Sequence, residues 1–194
     1  QLAGTTVKRA SLHTFDEIDR LDVRVGDTVI VEKAGEIIPQ VVEVKKEFRK
    51  AGAKSFSPPA ECPECGSKVE KDENGVYVRC ISSNCPAQLK EKLRYFAGRD
   101  QMDIENLGPA IIDQLVDKKL VRDFADLYSL DVKTLAELER MADKSAQNVI
   151  SAIEKSRTQS LDRLIAALGI RHIGIQNAEI LTRQAVAFLS RLAS

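Results

Sequence analysis

Tryptophan is absent from this 194-residue chain, and phenylalanine and tyrosine bring the aromatic share to only 5%. A surface that stacks successive bases on aromatic rings is therefore not supported. Net charge is missing too: 29 basic residues meet 29 acidic ones, and the signs stay nearly even within residues 1–60, 61–100 and 101–194. Bulk charge thus gives no argument for a polyanionic partner, and any such binding must come from local geometry. No apolar run is long enough to cross a membrane. Cysteine is missing everywhere except one stretch, and no secretory leader is evident, so a disulfide-stapled extracellular fold is the weaker reading of the four cysteines present.

Those four, Cys62, Cys65, Cys80 and Cys85, are spaced C-x2-C-x14-C-x4-C. Two short chelating loops that face each other suit a tetrahedral metal, and Cys62-Pro63-Glu64-Cys65-Gly66 supplies one tight turn of that kind. The second loop, Cys80 to Cys85, is wider and ends at Pro86. Between them, Val69 and Val76-Tyr77-Val78 flank an Asp72-Glu73-Asn74-Gly75 turn, which predicts a small hairpin. A module this short cannot bury a core of its own, so zinc would supply most of its folding energy. Four thiolates close the coordination sphere, which makes the zinc structural rather than catalytic. Two disulfides are the alternative.

Before the cysteines, short strands with glycine turns predict a small all-β barrel. Thr5 to Leu12 alternates, Phe15, Ile18 and Leu21 mark a short helix, and Thr28–Val31 and Ile37–Val44 are further strands around a turn at Ala34-Gly35. Pro39 has no N–H for a ladder and marks a strand start or a bulge. Lys45 to Pro59, charged and then Pro-rich, reads as a linker.

After the cysteines the chain is helical, beginning with Pro86 at a helix N-terminus and Leu89, Leu93 and Phe96 on one face. An internal repeat follows. Ile104-Glu105-Asn106-Leu107-Gly108, with Ile112 and Leu115, aligns with Leu138-Glu139-Arg140-Met141-Ala142, with Ala146 and Val149. Both align with Ile170-Arg171-His172-Ile173-Gly174, with Ala178 and Leu181, at offsets of 34 and 32 residues. The unit is a helix, a tight hairpin and a second helix, with a small residue read as letting the turn close. Such a turn aims backbone N–H groups outward, which suits a phosphate without needing net charge. A helical array for protein partners is the other reading of the repeat.

Taken together, these residues resemble the C-terminal part of bacterial NAD-dependent DNA ligase. Gly4 to His13, Gly26-Asp27-Thr28-Val29 and Lys33 to Pro39 look like that family's OB-fold barrel. The four cysteines with Asn84 to Gln88 look like its zinc finger. Met102 to Gly108, Leu138 to Asn148 and Leu168 to Gly174 look like its helix-hairpin-helix repeats. The resemblance implies a multidomain chain: an all-β OB-fold barrel plus linker over 1–60, a four-cysteine zinc finger over 61–86 and an all-α helix-hairpin-helix domain over 87–194, with a fourth hairpin missing. It implies a DNA-binding portion that encircles nicked duplex DNA for phosphodiester bond formation in replication and repair. It also implies zinc held by Cys62, Cys65, Cys80 and Cys85, and DNA contacts from Arg9, Lys33, Gly35, Gly108, Lys144, Ser145, Arg171 and Gly174.

The family's adenylated lysine lies in a Lys-x-Asp-Gly motif that this sequence lacks, so no catalytic residue is assigned and the chain alone is expected to be inactive. NAD and Mg would serve the complete enzyme, mainly outside this chain, and an N-terminal adenylation domain would be its partner. A cytoplasmic, nucleoid-associated monomer is expected. Lys33 replaces a usual arginine and loses the planar fork for a bidentate phosphate contact, and Thr14 replaces an asparagine. Asn106 and Ala142 replace hairpin glycines and His172 fills a first-glycine slot, so Arg140 and Ala142 leave the second hairpin's phosphate grip in question. Lys8 and Arg9 alternate, so only one faces a groove, and Arg9 is the candidate. His13, Lys144, Ser145, Arg171, Gly108 and Gly174 each have a structural alternative: a strand-end histidine, a helix cap, a solvated arginine, or packing relief at the glycines. A stand-alone DNA-binding repair scaffold and a protein-interaction array are the competing functions.

Overall fold

The computed structural model describes residues 8–34, 38–72 and 76–192. Contacts divide the chain into residues 1–82 and 83–194, and each unit is described by itself.

In the first unit, α1 (Phe15–Leu21) starts at Thr14, whose Oγ1 accepts the Glu17 N–H at 3.3 Å. Thr14 with Glu17 three residues on is the capping-box pattern. Strands β1 (Val29–Ala34) and β2 (Ile38–Val44) pair antiparallel, with a register shift between Ile30 and Val31. Pro39 sits near the start of β2, where it needs no donor. Its carbonyl accepts the Ser11 N–H at 2.8 Å, and the Val41 N–H returns to the Ser11 carbonyl at 3.0 Å. The expected first strand, Thr5 to Leu12, lies partly outside the described residues; within them it contributes the bridge at Ser11, and the described strands show no closed barrel.

The stretch from Lys45 to Pro59 is tied down rather than a free linker. After a 3-10 turn (Lys46–Phe48), Arg49 reaches back to two acids more than 20 residues earlier. Its guanidinium donates to Asp27 Oδ1 and Oδ2, both at 2.9 Å, to Asp22 Oδ2 at 2.8 Å and to the Asp22 carbonyl at 2.6 Å. Phe56 stacks on Phe15. This unit buries few apolar side chains: among its described residues only Val41, Val44 and Cys62 are buried hydrophobics. The polar clamp therefore matters more than in a domain with a large core.

Arg49 and Arg24 hold the Asp22 carboxyl well below the ordinary carboxylate range, and Arg49 lowers Asp27 against the opposing effect of burial. Depressed folded values stabilise the fold fully above the unfolded value near 4 and lose that contribution as pH falls through the folded ones. Arg49→Ala should accordingly lower the melting temperature by several degrees at pH 7. The gap to wild type should close as the solution is acidified below pH about 4. Thermal melts across pH check this, and a constant gap would contradict it.

Still in this unit, β3 (Val69–Lys71) and β4 (Val78–Cys80) form the expected hairpin, closed by the Asp72 N–H donating to the Tyr77 carbonyl at 3.0 Å. The turn residues 73–75 lie outside the described residues.

The second unit is all-helical. α2 (Pro86–Phe96) has its proline at the first helical turn, where the missing N–H is harmless. It packs on α3 (Pro109–Asp117); α4 (Val132–Ala136) packs on α5 (Asp143–Ser156); α6 (Leu161–Ala167) packs on α7 (Ile175–Leu192). These are the three helix pairs the repeat predicts. Leu93, Phe96, Ile112, Leu115, Leu127, Leu135, Val149 and Ile153 form a continuous core. Phe96 stacks on Phe124 at 4.7 Å and meets Tyr128 edge-on. Tyr128 Oη lies 2.9 Å from Ser156 Oγ, so the buried serine is satisfied. Arg163 on α6 donates to the carbonyls of Arg99 and Gln101, both at 2.5 Å, anchoring the third pair to the connection after α2. Among the described residues no helix is long and apolar enough to cross a membrane.

Candidate zinc centre and nucleic-acid interface

The sulfurs of Cys62, Cys65, Cys80 and Cys85 all lie within 4.8 Å of one another, and none of the four is in a disulfide. Zn–S bonds of about 2.3 Å put the sulfurs of a tetrahedral site about 3.8 Å apart. The observed cluster, with Cys65 and Cys80 at 3.5 Å, is of that size, and the donor set fits zinc.

Local structure explains how the loops meet. Gly66 adopts φ +71°, a left-handed conformation that glycine takes without strain, and its N–H donates to the Cys62 carbonyl at 2.8 Å. The Cys62 N–H donates to the Ser67 carbonyl, and Cys80 ends β4. Cys85, buried, is the N-cap of α2. Crowding divides the thiols: the Ser67 hydroxyl and backbone N–H lower Cys65 to about 6. The Ser82 backbone N–H lowers Cys80, but burial and the Cys65 and Cys62 sulfurs outweigh it and push that thiol up to about 12.

Each helix pair turns through a left-handed residue at the same repeat position: Asn106 (φ 65°), Arg140 (φ 60°) and His172 (φ 67°). None is glycine. The small residue two positions later is the start of the second helix and is not left-handed: Gly108 has φ −79° and Ala142 φ −93°, both extended. A β-carbon built on Gly108 or Gly174 meets no atom within 4 Å. The expectation that this residue must be small for the turn to close is therefore corrected, and so is the packing-relief alternative. Neither conformation nor internal space demands glycine there. What bare backbone does offer is unobstructed approach from outside, since neither Gly108 nor Ala142 caps its helix with a side chain.

The other sequence-derived candidates fall as follows. Lys33 is exposed on β1 opposite Pro39. Arg9 is exposed ahead of the Ser11 bridge, and Gly35 lies outside the described residues. Lys144 and Ser145 are exposed in the first turn of α5, and neither side chain caps it. Arg171 and Gly174 are exposed at the third turn. His13 has φ 56°, and its Nε2 lies 2.9 Å from Gln40 Oε1, a strand-end amide contact rather than a catalytic carboxylate pair.

Sequence reasoning passed over Gln114. Its Oε1 accepts the Glu139 N–H at 2.7 Å and its Nε2 donates to the Glu139 carbonyl at 3.2 Å, so α3 grips the second turn beside Arg140. Repeat alignment could not find it, because its partner Glu139 lies 25 residues away in the chain.

Family profiles match in chain order: the NAD-dependent DNA ligase OB-fold domain over residues 1–53, the NAD-dependent DNA ligase C4 zinc finger domain over 61–87, and a SAM-like helix-hairpin-helix tandem over 99–155. The chain is 53% identical over 182 residues to a DNA ligase of Methylacidiphilum infernorum, covering 94% of this chain and 26% of that protein. It is 54% identical over 181 residues to a DNA ligase of Pelotomaculum thermopropionicum, covering 93% and 27%, and 50% identical over 179 residues to one of Prosthecochloris aestuarii, covering 92% and 26%. The chain thus spans about a quarter of the length of these relatives. The four-cysteine cluster and the C4 zinc finger match together support a structural zinc. The chain therefore matches, in order, the OB-fold and C4 zinc finger domains of the NAD-dependent DNA ligases and a helix-hairpin-helix tandem.

Proposed function

We propose that this chain is the part of an NAD-dependent DNA ligase that holds nicked duplex DNA while the break is sealed. The observation that carries the reading is the repeated hairpin: a left-handed residue at three places of one unit, followed two positions on by a residue that is extended at 108 and 142 and sterically open at 108 and 174, and then a helix. Backbone amides presented this way bind phosphate without a net positive charge, which reconciles DNA binding with a neutral chain.

In this reading Gly108 and Gly174 meet phosphates through backbone, with Lys144, Ser145 and Arg171 beside the second and third hairpins. Arg9, Lys33 and Gly35 form the contact of the OB-fold region. Cys62, Cys65, Cys80 and Cys85 hold zinc, which supplies rigidity and no chemistry. The lysine that takes up adenylate from NAD, and the Mg that assists it, belong to a separate adenylation segment, because no Lys-x-Asp-Gly occurs in these 194 residues. The whole is a monomeric, cytoplasmic, nucleoid-associated enzyme.

Two measurements test this. The chain alone neither consumes NAD nor seals a nick, whereas mixing it with a separately expressed adenylation segment restores ligation. Failure of the mixture with both parts folded counts against the reading. Binding to nicked duplex should weaken steeply with salt as counterions are released; a salt-independent or absent interaction would instead favour a protein-interaction array.

A further inference from the structure

The second hairpin departs from the first and third in bearing a β-carbon, Ala142, where they have glycine. It also departs in placing an arginine at the left-handed position. Arg140 is exposed and makes no ion pair among the described residues. Its φ of 60° is costly for an L-residue with a long side chain, and the Gln114 amide pair on Glu139 clamps the backbone just before it. The left-handed turn is shared with the other two hairpins; what sets this one apart is the exposed guanidinium it carries, held on a backbone fixed by Gln114.

The guanidinium borders a cleft of about 550 Å³ between the first and second hairpins, lined also by Asn106, Gln114, Ser145 and Asn148. Of the two acids lining it, Asp113 is neutralised by Arg94 at 2.6 Å and Lys90 at 3.9 Å. Glu139 is an exposed acid on the same rim, so the cleft is not broadly cationic and an anion there must be met by Arg140 directly. Arg–phosphate pairs are suited to this because the planar fork donates twice.

We propose that the second hairpin holds one strand of the duplex through the Arg140 guanidinium, bidentate on a phosphate at the mouth of this cleft, in place of the bare backbone used by the first and third. The inference rests on the DNA-holding reading above. It turns the apparent defect of this hairpin, no glycine at either position, into a different mode of grip that depends on charge.

The test is fluorescence anisotropy of a labelled nicked duplex between about 50 and 200 mM salt, for wild type, R140Q, R140K, R140N and Gly108→Val. R140Q should weaken binding about five- to tenfold at low salt and make the salt dependence shallower by about one ion. R140K should keep the slope and lose part of the affinity with the fork. R140N relaxes the turn, since asparagine tolerates the left-handed region, and should bind like R140Q, so a folding failure of R140Q does not block the test. If R140Q and R140N bind with wild-type affinity and slope while Gly108→Val weakens binding, this inference is overturned and the DNA-holding reading survives. Wild type without salt-dependent duplex binding overturns both.

Discussion

Stripping zinc, or replacing Cys62 with serine, should unfold residues 61–87 while leaving the helical core folded. The hairpin there has three paired residues per strand, and apart from Cys62 and Cys85 none of the described hydrophobics of residues 61–87 is buried. Its described hydrophobics Val76 and Tyr77 are exposed, and of its metal loops only Cys62 and Cys85 are buried. Zinc in a four-thiolate site contributes on the order of 10 kcal/mol to such a module, against a few at most from so small a core. The expected result in hydrogen exchange is loss of protection at Val69–Lys71 and Val78–Cys80, with Ile112, Leu115, Val149 and Ile153 still protected. Native mass spectrometry should show one zinc per chain before chelation and none after. The metal-free protein should also bind nicked duplex more weakly. Unchanged exchange and unchanged DNA affinity without metal would contradict a structural zinc here.

Much of this architecture is legible in the sequence because the signals are local. Cysteine spacing points to the cluster, Pro86 marks the start of α2, and the offsets of the repeat place the three turns at which φ is positive. What is not legible depends on partners distant in the chain. Arg49 looks like one more charge in a solvated stretch until Asp22 and Asp27 are seen around it. Once placed, that charge makes the supposed linker part of the first unit's fold. Thr14 is a different case: the Thr14–Glu17 capping pattern is local and present in the sequence, and the threonine that stands for a family asparagine caps α1.

The hairpins are the sharper case. Sequence reading puts the conformational burden on the small residue, because glycine usually marks a backbone that other residues cannot adopt. The structure puts that burden two positions earlier, on Asn106, Arg140 and His172, where tertiary packing of each helix pair imposes a left-handed turn on whatever residue is there. Local preference loses to the constraint of joining two packed helices. Glycine at 108 and 174 is thereby left without an internal reason.

That absence gives the second large prediction. Gly108→Val should fold normally and bind nicked duplex about tenfold more weakly, and the Gly108→Val, Gly174→Val double variant about a hundredfold. Valine accommodates φ −79° and ψ 172°, which is ordinary extended backbone, and its β-carbon meets nothing in the chain. The loss at the start of α3 is about 1 kcal/mol of capping preference at most, small against a core built on fully buried Ile112 and Leu115. Ala142 shows that a β-carbon is compatible with this kind of turn. The weakening should come with little change in salt dependence, because the lost contact is a backbone N–H and not a charge; that distinguishes it from loss of Arg140. Gly108→Ala, adding a single methyl, should fall between wild type and valine. A folded Gly108→Val protein with wild-type affinity would mean that no phosphate approaches the first turn, and the hairpin would then have to be a packing device whose glycine this structure does not explain.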